Sequence, residues 1–273
     1  AQQSANTLRW ASESSITAVD PYFNAFREAM TINGQLVWDT LVFRDEEKGS
    51  YVPLLAKSWK WVDDVTLEFV LRDDVKFHDG IAFSADDVVY TFNDITDPKN
   101  KINVPSNSNW IKSAEKVSAS VVRLHLKAPF PPAMEYLSSV LAILPKDFYG
   151  EGGMAGGNGR LVGTGPYKLT RFVPGTSIDV ERWPGYFTNG PKGNPSIQKM
   201  QYRTIPDGAS QIANLLSGNV DWIWRVPPDQ AKRLASTRGV AVQPAATMRI
   251  SYLALNTRDM GVANPLQNPK VRE

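Results

Sequence analysis

Apolar residues spaced two positions apart in two neighbouring segments constrain the fold most strongly. The segments are AKSWKWVDD (56–64) and TLEFVLR (66–72), the second with Leu67, Phe69 and Leu71 two positions apart. Because side chains alternate between the faces of a strand, these three share one face, and the aspartates at the junction indicate a turn. A second pair of strands is predicted at EKVSAS (115–120) and VVRLHLK (121–127). The chain therefore contains antiparallel sheet.

The other segments mix helical and strand patterns in irregular order. A first strand is predicted in TLRWASES (7–14), and helical spacing follows in 20–43. Further helices are predicted in 208–217 and 227–236. Further strands are predicted at TSIDVER (176–182), IQKMQYRTI (197–205), VAVQP (240–244) and RISYLALNT (249–257). This order indicates a mixed α/β (α+β) fold and not a regular doubly wound sheet.

Composition excludes several classes of protein. The 273 residues include 30 Lys and Arg against 28 Asp and Glu, with the two signs interspersed, which argues against a nucleic-acid partner. The absence of cysteine excludes thiol catalysis and disulfides. No apolar run is long enough to span a bilayer. The small, polar start AQQSANT is typical of a chain cleaved from a signal peptide, so we expect export to the periplasm or the extracellular space.

The stretch KFHDGIAFSADDVVYTF (76–92) looks most like a site of chemistry, because it holds one of the two histidines beside several aspartates. Ser84 and Asp87 have the spacing of a helix capping box, and Asp79 with Gly80 indicates a turn. A metal site would need further ligands near His78, and the other histidine lies in a separate strand. We therefore predict a structural role for this stretch, with His78 hydrogen-bonded inside the corner.

No other motif predicts catalysis. The glycines between 150 and 165 match neither the phosphate-binding loop nor the dinucleotide-binding pattern. Adjacent carboxylates such as Asp63 and Asp64 point apart and are typical of solvated turns. No nucleophile motif occurs. The sequence predicts no metal, no cofactor and no catalytic residue, and a hydrolase is the alternative function from another class.

Polar and aromatic residues in loops at strand ends are what a small-molecule pocket needs. They include Glu13 and Ser14 after the first strand, Tyr22, Trp110, and Trp224 followed by Arg225. Core packing is the alternative role for each aromatic side chain.

Many segments together resemble the solute-binding proteins that serve ABC importers of dipeptides, oligopeptides and nickel, known as family 5. The most specific is the pattern F-H-D-G-x-x-F-x-A-x-D-V at 77–88, followed much later by GTGPY at 163–167. The resemblance covers nearly the whole chain and also rests on VWDTLVFRD (37–45), APFPP (128–132), NLLSGNVDWIWRVPPDQAKRL (214–234) and YLALNT (252–257).

The resemblance implies a periplasmic-binding-protein-like fold whose two lobes close on a ligand. The first lobe would consist of a core subdomain with a mixed sheet (1–45 and 181–273) and an inserted, mostly antiparallel subdomain (46–180). We expect the second lobe to be absent, because family members are about twice as long. The chain also ends on helix-start signals at Asn268 and Pro269.

The resemblance also implies a ligand site and partners. Ser12, Glu13 and Ser14 match a Ser-Glu loop at the cleft, where Glu13 would accept hydrogen bonds from a ligand amine or backbone N–H. The other ligand-binding residues it implies are Tyr22, Met30, Trp110, Trp224 and Tyr252, the last on a strand leading to the hinge. The expected ligand is a peptide, with nickel chelates, sugars and opine-like compounds as alternatives. The expected protein is a monomer that delivers its ligand to a membrane permease, or to a chemosensory partner.

Overall fold

The computed structural model describes residues 6–24, 27–149, 161–187, 189–245, 252–258 and 264–272. Contacts divide the chain into two compact units, Ala1–Val226 and Pro227–Glu273. The first unit contains β1 (Thr7–Ser12), α1 (Arg27–Thr31), a π-helix (Ile32–Val37), β2 (Val42–Asp45), β3 (Ser50–Pro53), β4 (Ala56–Asp63), β5 (Thr66–Leu71), α2 (Ala85–Thr96), β6 (Ile111–Lys116), β7 (Val121–Leu126), α3 (Ala133–Ser139), β8 (Tyr167–Val173), β9 (Ser177–Arg182), β10 (Lys199–Thr204), α4 (Gly208–Leu216) and β11 (Trp222–Ile223). The second contains α5 (Pro228–Ala235) and α6 (Pro269–Arg272).

A five-stranded mixed sheet in the order β11-β1-β10-β9-β8 organises the first unit. Strands β11, β1 and β10 run parallel, so their carboxyl ends meet at one edge of the sheet. Strand β11 is short and is held beside β1 by Arg9, whose guanidinium and backbone N–H both donate to Asp221. This bidentate pair fixes where the chain enters β11.

A four-stranded antiparallel sheet, β4-β5-β7-β6, forms a separate layer, and a two-stranded sheet pairs β2 with β3. The predicted hairpin is confirmed, with Leu67 opposite Trp61 and Phe69 opposite Trp59. The second pair is confirmed at β7, but its partner β6 ends at Lys116, because residues 117–120 form the connecting turn. The apolar stripe of α2 is buried beside this sheet.

The stretch 76–92 has the structural role that its sequence predicts. Ser84 and Asp87 form the capping box at the start of α2, with Asp87 accepting from the Ser84 N–H at 2.7 Å. Gly80 adopts a φ of 88°, as the predicted turn requires. His78 reaches across to the GTGPY segment, where its Nε2 lies 2.9 Å from the Gly165 carbonyl oxygen. The two most specific sequence motifs are thus in direct contact.

The division of the first lobe into a core subdomain (1–45 and 181–273) and an inserted subdomain (46–180) stays a prediction. Strands β8 and β9 pair as a hairpin within the mixed sheet. Two predicted strands near the end of the chain differ from the structure. No strand forms at 240–244 or at the described part of 249–257, residues 252–257; residues 249–251 lie outside the described residues. A strand needs a hydrogen-bonded partner, and the described part of the second unit contains no strand.

Candidate functional site

The loop Ser12–Ser14 begins where β1 ends, at the edge of the sheet shared by three parallel strands. Ser12 is buried, and its backbone carbonyl accepts from the Ile205 N–H at 2.8 Å. The Ser14 carbonyl accepts hydrogen bonds from the Tyr202 hydroxyl and from Thr204 Oγ1. Both donors belong to β10, so the neighbouring strand fixes the loop. Ligands of open α/β sheets bind at such carboxyl ends.

A buried carboxylate also holds the loop Ser12–Ser14 in place through hydrogen bonding. Glu28 on α1 is 1% exposed and accepts a hydrogen bond from Ser12 Oγ at 3.1 Å. Burial raises the pKa of the Glu28 carboxyl, but hydrogen bonds from Ser14, its own backbone and Ser12, together with the charge of Arg225, outweigh it, so the pKa is lowered overall. Glu28 is therefore ionised at neutral pH.

Glu13 points outward from this supported loop, with 59% of its side chain exposed. Its Oε1 accepts from Arg225 Nη1 at 2.9 Å. Arg225 follows β11, whose carboxyl end lies at the same edge as that of β1, so the parallel pairing brings together residues 212 positions apart. The predicted ligand residue Glu13 thus has an intramolecular cation as its partner.

Aromatic side chains form a wall beside this ion pair. Trp10 is buried and contacts Tyr202, Trp222 and Trp224, with ring centroids between 5.0 and 5.6 Å apart. Trp222 is 41% exposed. The guanidinium carbon of Arg225 lies 5.6 Å from the centre of the Trp224 ring, a cation–π distance. Trp224, one of the predicted ligand-binding residues, thus contacts Arg225, the partner of Glu13. Trp10, Tyr202, Trp222 and Trp224 are called the aromatic cluster below.

Two other predicted residues, Tyr22 and Met30, line one small pocket of about 30 Å³ elsewhere in the first unit. The Tyr22 hydroxyl donates to the Ala142 carbonyl at 2.5 Å, so its polar end is already bonded. Asn33 of the π-helix also lines this pocket, and its buried amide has no hydrogen-bond partner among the described residues. A cavity of this size holds about two water molecules, which can satisfy such an amide.

Trp110 belongs to neither of these two groups. It is buried just before β6 and stacks on Phe130 with ring centroids 4.7 Å apart. Tyr252 belongs to the second unit, is 82% exposed, and does not lie on the strand predicted for it. Their roles as ligand contacts stay predictions.

Sequence reasoning missed Glu28 and the partner of Arg225. Glu28 lies in a segment whose apolar spacing predicts a helix, and no local pattern marks its carboxylate as buried. Arg225 is named with Trp224 as a candidate pocket residue, but the sequence does not indicate what it pairs with. Its partner became visible only when β11 was paired with β1.

The described residues contain no cluster of three or more His, Cys, Asp or Glu side chains that could hold a metal ion. Among the helices of the same described part, none has the length and apolar character needed to cross a membrane.

Comparison with known proteins relates the whole arrangement to one family. Residues 50–273 match the model of the bacterial extracellular solute-binding proteins, family 5 Middle. The glutathione-binding protein GsiB of Pectobacterium atrosepticum is 27% identical over 263 residues, which are 95% of this chain and 49% of that protein. The chain thus spans about half the length of the curated relatives it matches.

Solved structures agree in fold. The oligopeptide-binding protein AppA from Bacillus subtilis, in complex with a nonapeptide, superimposes with a TM-score of 0.75 at 26% identity, over 85% of this chain and 46% of AppA. NikZ from Campylobacter jejuni, in complex with Ni(L-His), gives a TM-score of 0.67 at 28% identity, over 79% of this chain and 42% of NikZ. With the family model matching most of its length, this chain belongs to the bacterial extracellular solute-binding proteins, family 5.

Proposed function

We propose that the protein is the solute-binding component of an ABC importer, which captures a small solute at the Glu13 loop and delivers it to a membrane permease. The observation that carries this proposal is the exposed Glu13 carboxylate, set on a loop that buried hydrogen bonds hold rigid. Preorganised polar groups beside an aromatic wall are what a small-molecule site requires. Family membership supports the same class of function.

We propose a dipeptide or an oligopeptide as the ligand. A carboxylate such as Glu13 accepts hydrogen bonds from an ammonium group, and the aromatic cluster suits apolar side chains. A nonapeptide bound to AppA supports this choice. A nickel chelate, an opine-like compound or a sugar is the second candidate, supported by Ni(L-His) in NikZ and agropinic acid in AgaA.

The protein acts outside the cytoplasm, in the periplasm or the extracellular space, as a monomer that makes and breaks no bond. Transport proteins among the relatives support a binder over an enzyme. An exported hydrolase is the alternative from another class. Assays with generic peptidase substrates discriminate the two, because turnover that is lost in Glu13→Ala would contradict the binding role. A receptor that passes its ligand to a chemosensory partner is a further alternative.

Native mass spectrometry of the full-length protein tests the proposed ligand class directly. We expect a retained peptide that is released on unfolding. Glu13→Gln should retain less of it, because the neutral amide loses the charge-assisted hydrogen bond, which contributes about 1.5–3 kcal/mol. Retention of a metal chelate or a sugar in place of peptide would contradict the peptide assignment. The control variant is Asp73→Asn, because Asp73 is exposed and far from the loop in sequence.

A further inference from the structure

Arg225 has a backbone conformation that non-glycine residues rarely adopt, with a φ of 58°. Strained backbone of this kind concentrates at ligand-binding and catalytic sites, where the surrounding structure holds it in place. Here Arg225 lies two residues after the end of β11, and the Arg9–Asp221 pair holds β11 beside β1. The strain directs a guanidinium toward Glu13 at the edge of the sheet.

We propose that Arg225 is the carboxylate-binding residue of the Glu13 site, and that the two residues together select zwitterionic ligands. This inference rests on the proposed function, since it concerns the same site. The ligand ammonium takes the place of Arg225 at Glu13, and the ligand carboxylate binds the released guanidinium. The intramolecular ion pair is thus exchanged for two ion pairs with the ligand, and no charge is left without a partner.

The donors for this exchange are present. A guanidinium carries five N–H groups, and the hydrogen bond to Glu13 uses Nη1. Among the described residues no other hydrogen-bond acceptor of the Arg225 side chain is found, so Nε and Nη2 remain for a carboxylate. About a third of the Arg225 side chain is exposed, which gives a ligand access.

Charge balance explains why a ligand with one charge would bind less well. Arg225 acts on two carboxylates, the exposed Glu13 and the buried Glu28. A purely anionic ligand would compete with Glu13 for Arg225 and leave that carboxylate unpaired. A purely cationic ligand would pair with Glu13 and leave Arg225 without its strongest partner. A ligand with both charges satisfies both residues.

The aromatic cluster holds the guanidinium during this exchange. Arg225 keeps its cation–π contact with Trp224. The partly exposed ring of Trp222 lies 5.8 Å from the Trp224 ring, centroid to centroid, and offers an apolar surface. An apolar ligand side chain can pack there. The class of ligand that these groups recognise is therefore an α-amino acid or short peptide with free termini and an apolar side chain.

Calorimetry with four forms of one dipeptide tests the inference. The purified protein is titrated with Ala-Phe, with its N-acetyl form, with its C-terminal amide and with the doubly blocked compound. One charge-assisted hydrogen bond corresponds to about 10- to 100-fold in affinity. We expect each block to weaken binding by at least about 10-fold, and the doubly blocked form to bind least.

The variant Arg225→Gly separates recognition from folding, because glycine adopts a positive φ without strain. Its thermal midpoint should equal or exceed that of the wild type. The wild type should prefer free Ala-Phe over its C-terminal amide by at least about 10-fold, and this preference should disappear in the variant, because no guanidinium remains to bind the carboxylate or to compete for Glu13. Glu13→Gln should show the mirror result and lose the preference for free Ala-Phe over its N-acetyl form. The exposed pair Lys57–Asp73 gives the matched control, and Lys57→Gln should change no affinity.

The outcomes distinguish the two proposals. Equal binding of all four forms, or equal loss for all four in Arg225→Gly, would overturn the role of Arg225 and leave the solute-binding function standing. Binding of no form of the dipeptide would overturn the zwitterion inference too. If a sugar or a metal chelate were also retained from cells, the peptide proposal itself would fail.

Discussion

At the scale of single residues, His78 holds two segments together only while its ring is neutral. Its Nδ1 accepts from the Gly163 N–H at 3.2 Å and its Nε2 donates to the Gly165 carbonyl at 2.9 Å. Trp183 packs its edge against the ring, with centroids 5.0 Å apart. Burial lowers the pKa of His78, and the Gly165 carbonyl offsets this only in part. Protonation would turn Nδ1 into a donor that faces the Gly163 N–H, which is also a donor, so this hydrogen bond would be lost.

This arrangement makes stability depend on pH in a definite direction. Because the folded pKa of His78 lies below the unfolded value of about 6.5, acid protonates the unfolded chain first. The contribution of His78 to the free energy of unfolding is therefore complete above about pH 7. It is lost as pH falls through about 6.5 toward the folded pKa, with a slope of at most about 1.4 kcal/mol per pH unit. Urea unfolding between pH 7.5 and 5.5 measures it.

The comparison variant for this measurement is His78→Gln, which should lose stability at pH 7.5 and show a shallower decline toward pH 5.5. His125→Gln removes the other histidine and should keep the steep decline. A decline equally steep in His78→Gln and the wild type would assign the pH dependence to other groups.

At the scale of elements, the π-helix and the GTGPY segment depend on each other. The widened turn pairs the Trp38 N–H with the Asn33 carbonyl at 2.8 Å and leaves the Val37 carbonyl free to accept from the Gly165 N–H at 2.9 Å. Gly163 lies so close that a Cβ there would be 1.9 Å from the Val37 carbonyl oxygen. Glycine is therefore required by close approach of two backbones.

We expect Gly163→Ala to destabilise the first unit by about 3 kcal/mol or more, the upper end of overpacking, because the obstructing atom is backbone and cannot rotate away. Gly208→Ala is the matched control, since a Cβ there meets nothing within 4 Å at the first position of a helix. It should be neutral or stabilising by up to about 1 kcal/mol. Urea midpoints compare the two, and equal midpoints would contradict the packing argument.

Local patterns predicted these elements to different degrees. The alternation in 56–72 and the capping box at Ser84 depend on neighbours within a few residues, and both predictions are confirmed. The apolar spacing near Met30 indicated a helix but neither its π turn nor the hydrogen bond that the Val37 carbonyl at its end accepts from Gly165, more than 120 residues away. Pairings at such distance leave no local pattern.

At the scale of the whole molecule, local sequence patterns likewise could not indicate which residues support or pair with Glu13. The family resemblance identified the loop, but Glu28 reaches it from α1, and the Arg225 pair arises from the parallel pairing of β11 with β1. Family membership came from motifs that build the scaffold, since His78 and Gly165 bond to each other. In our proposal, ligand specificity depends on Arg225, which lies outside the two most specific motifs at 77–88 and 163–167.

The two compact units differ in how much apolar surface they bury. Dozens of apolar side chains form the core of the first unit, whereas among the described residues of the second unit Leu234 is the buried one. Few buried contacts imply a low free energy of local opening.

We expect amides of α5 in the second unit to exchange with deuterium much faster than those of α4 in the first unit. The two helices are of similar length, but Ile212 and Leu215 of α4 pack beside Val220 and Ile223. Peptide-resolved hydrogen exchange measures both helices in one sample. Equal protection of α5 and α4 would show that the second unit opens only with the first.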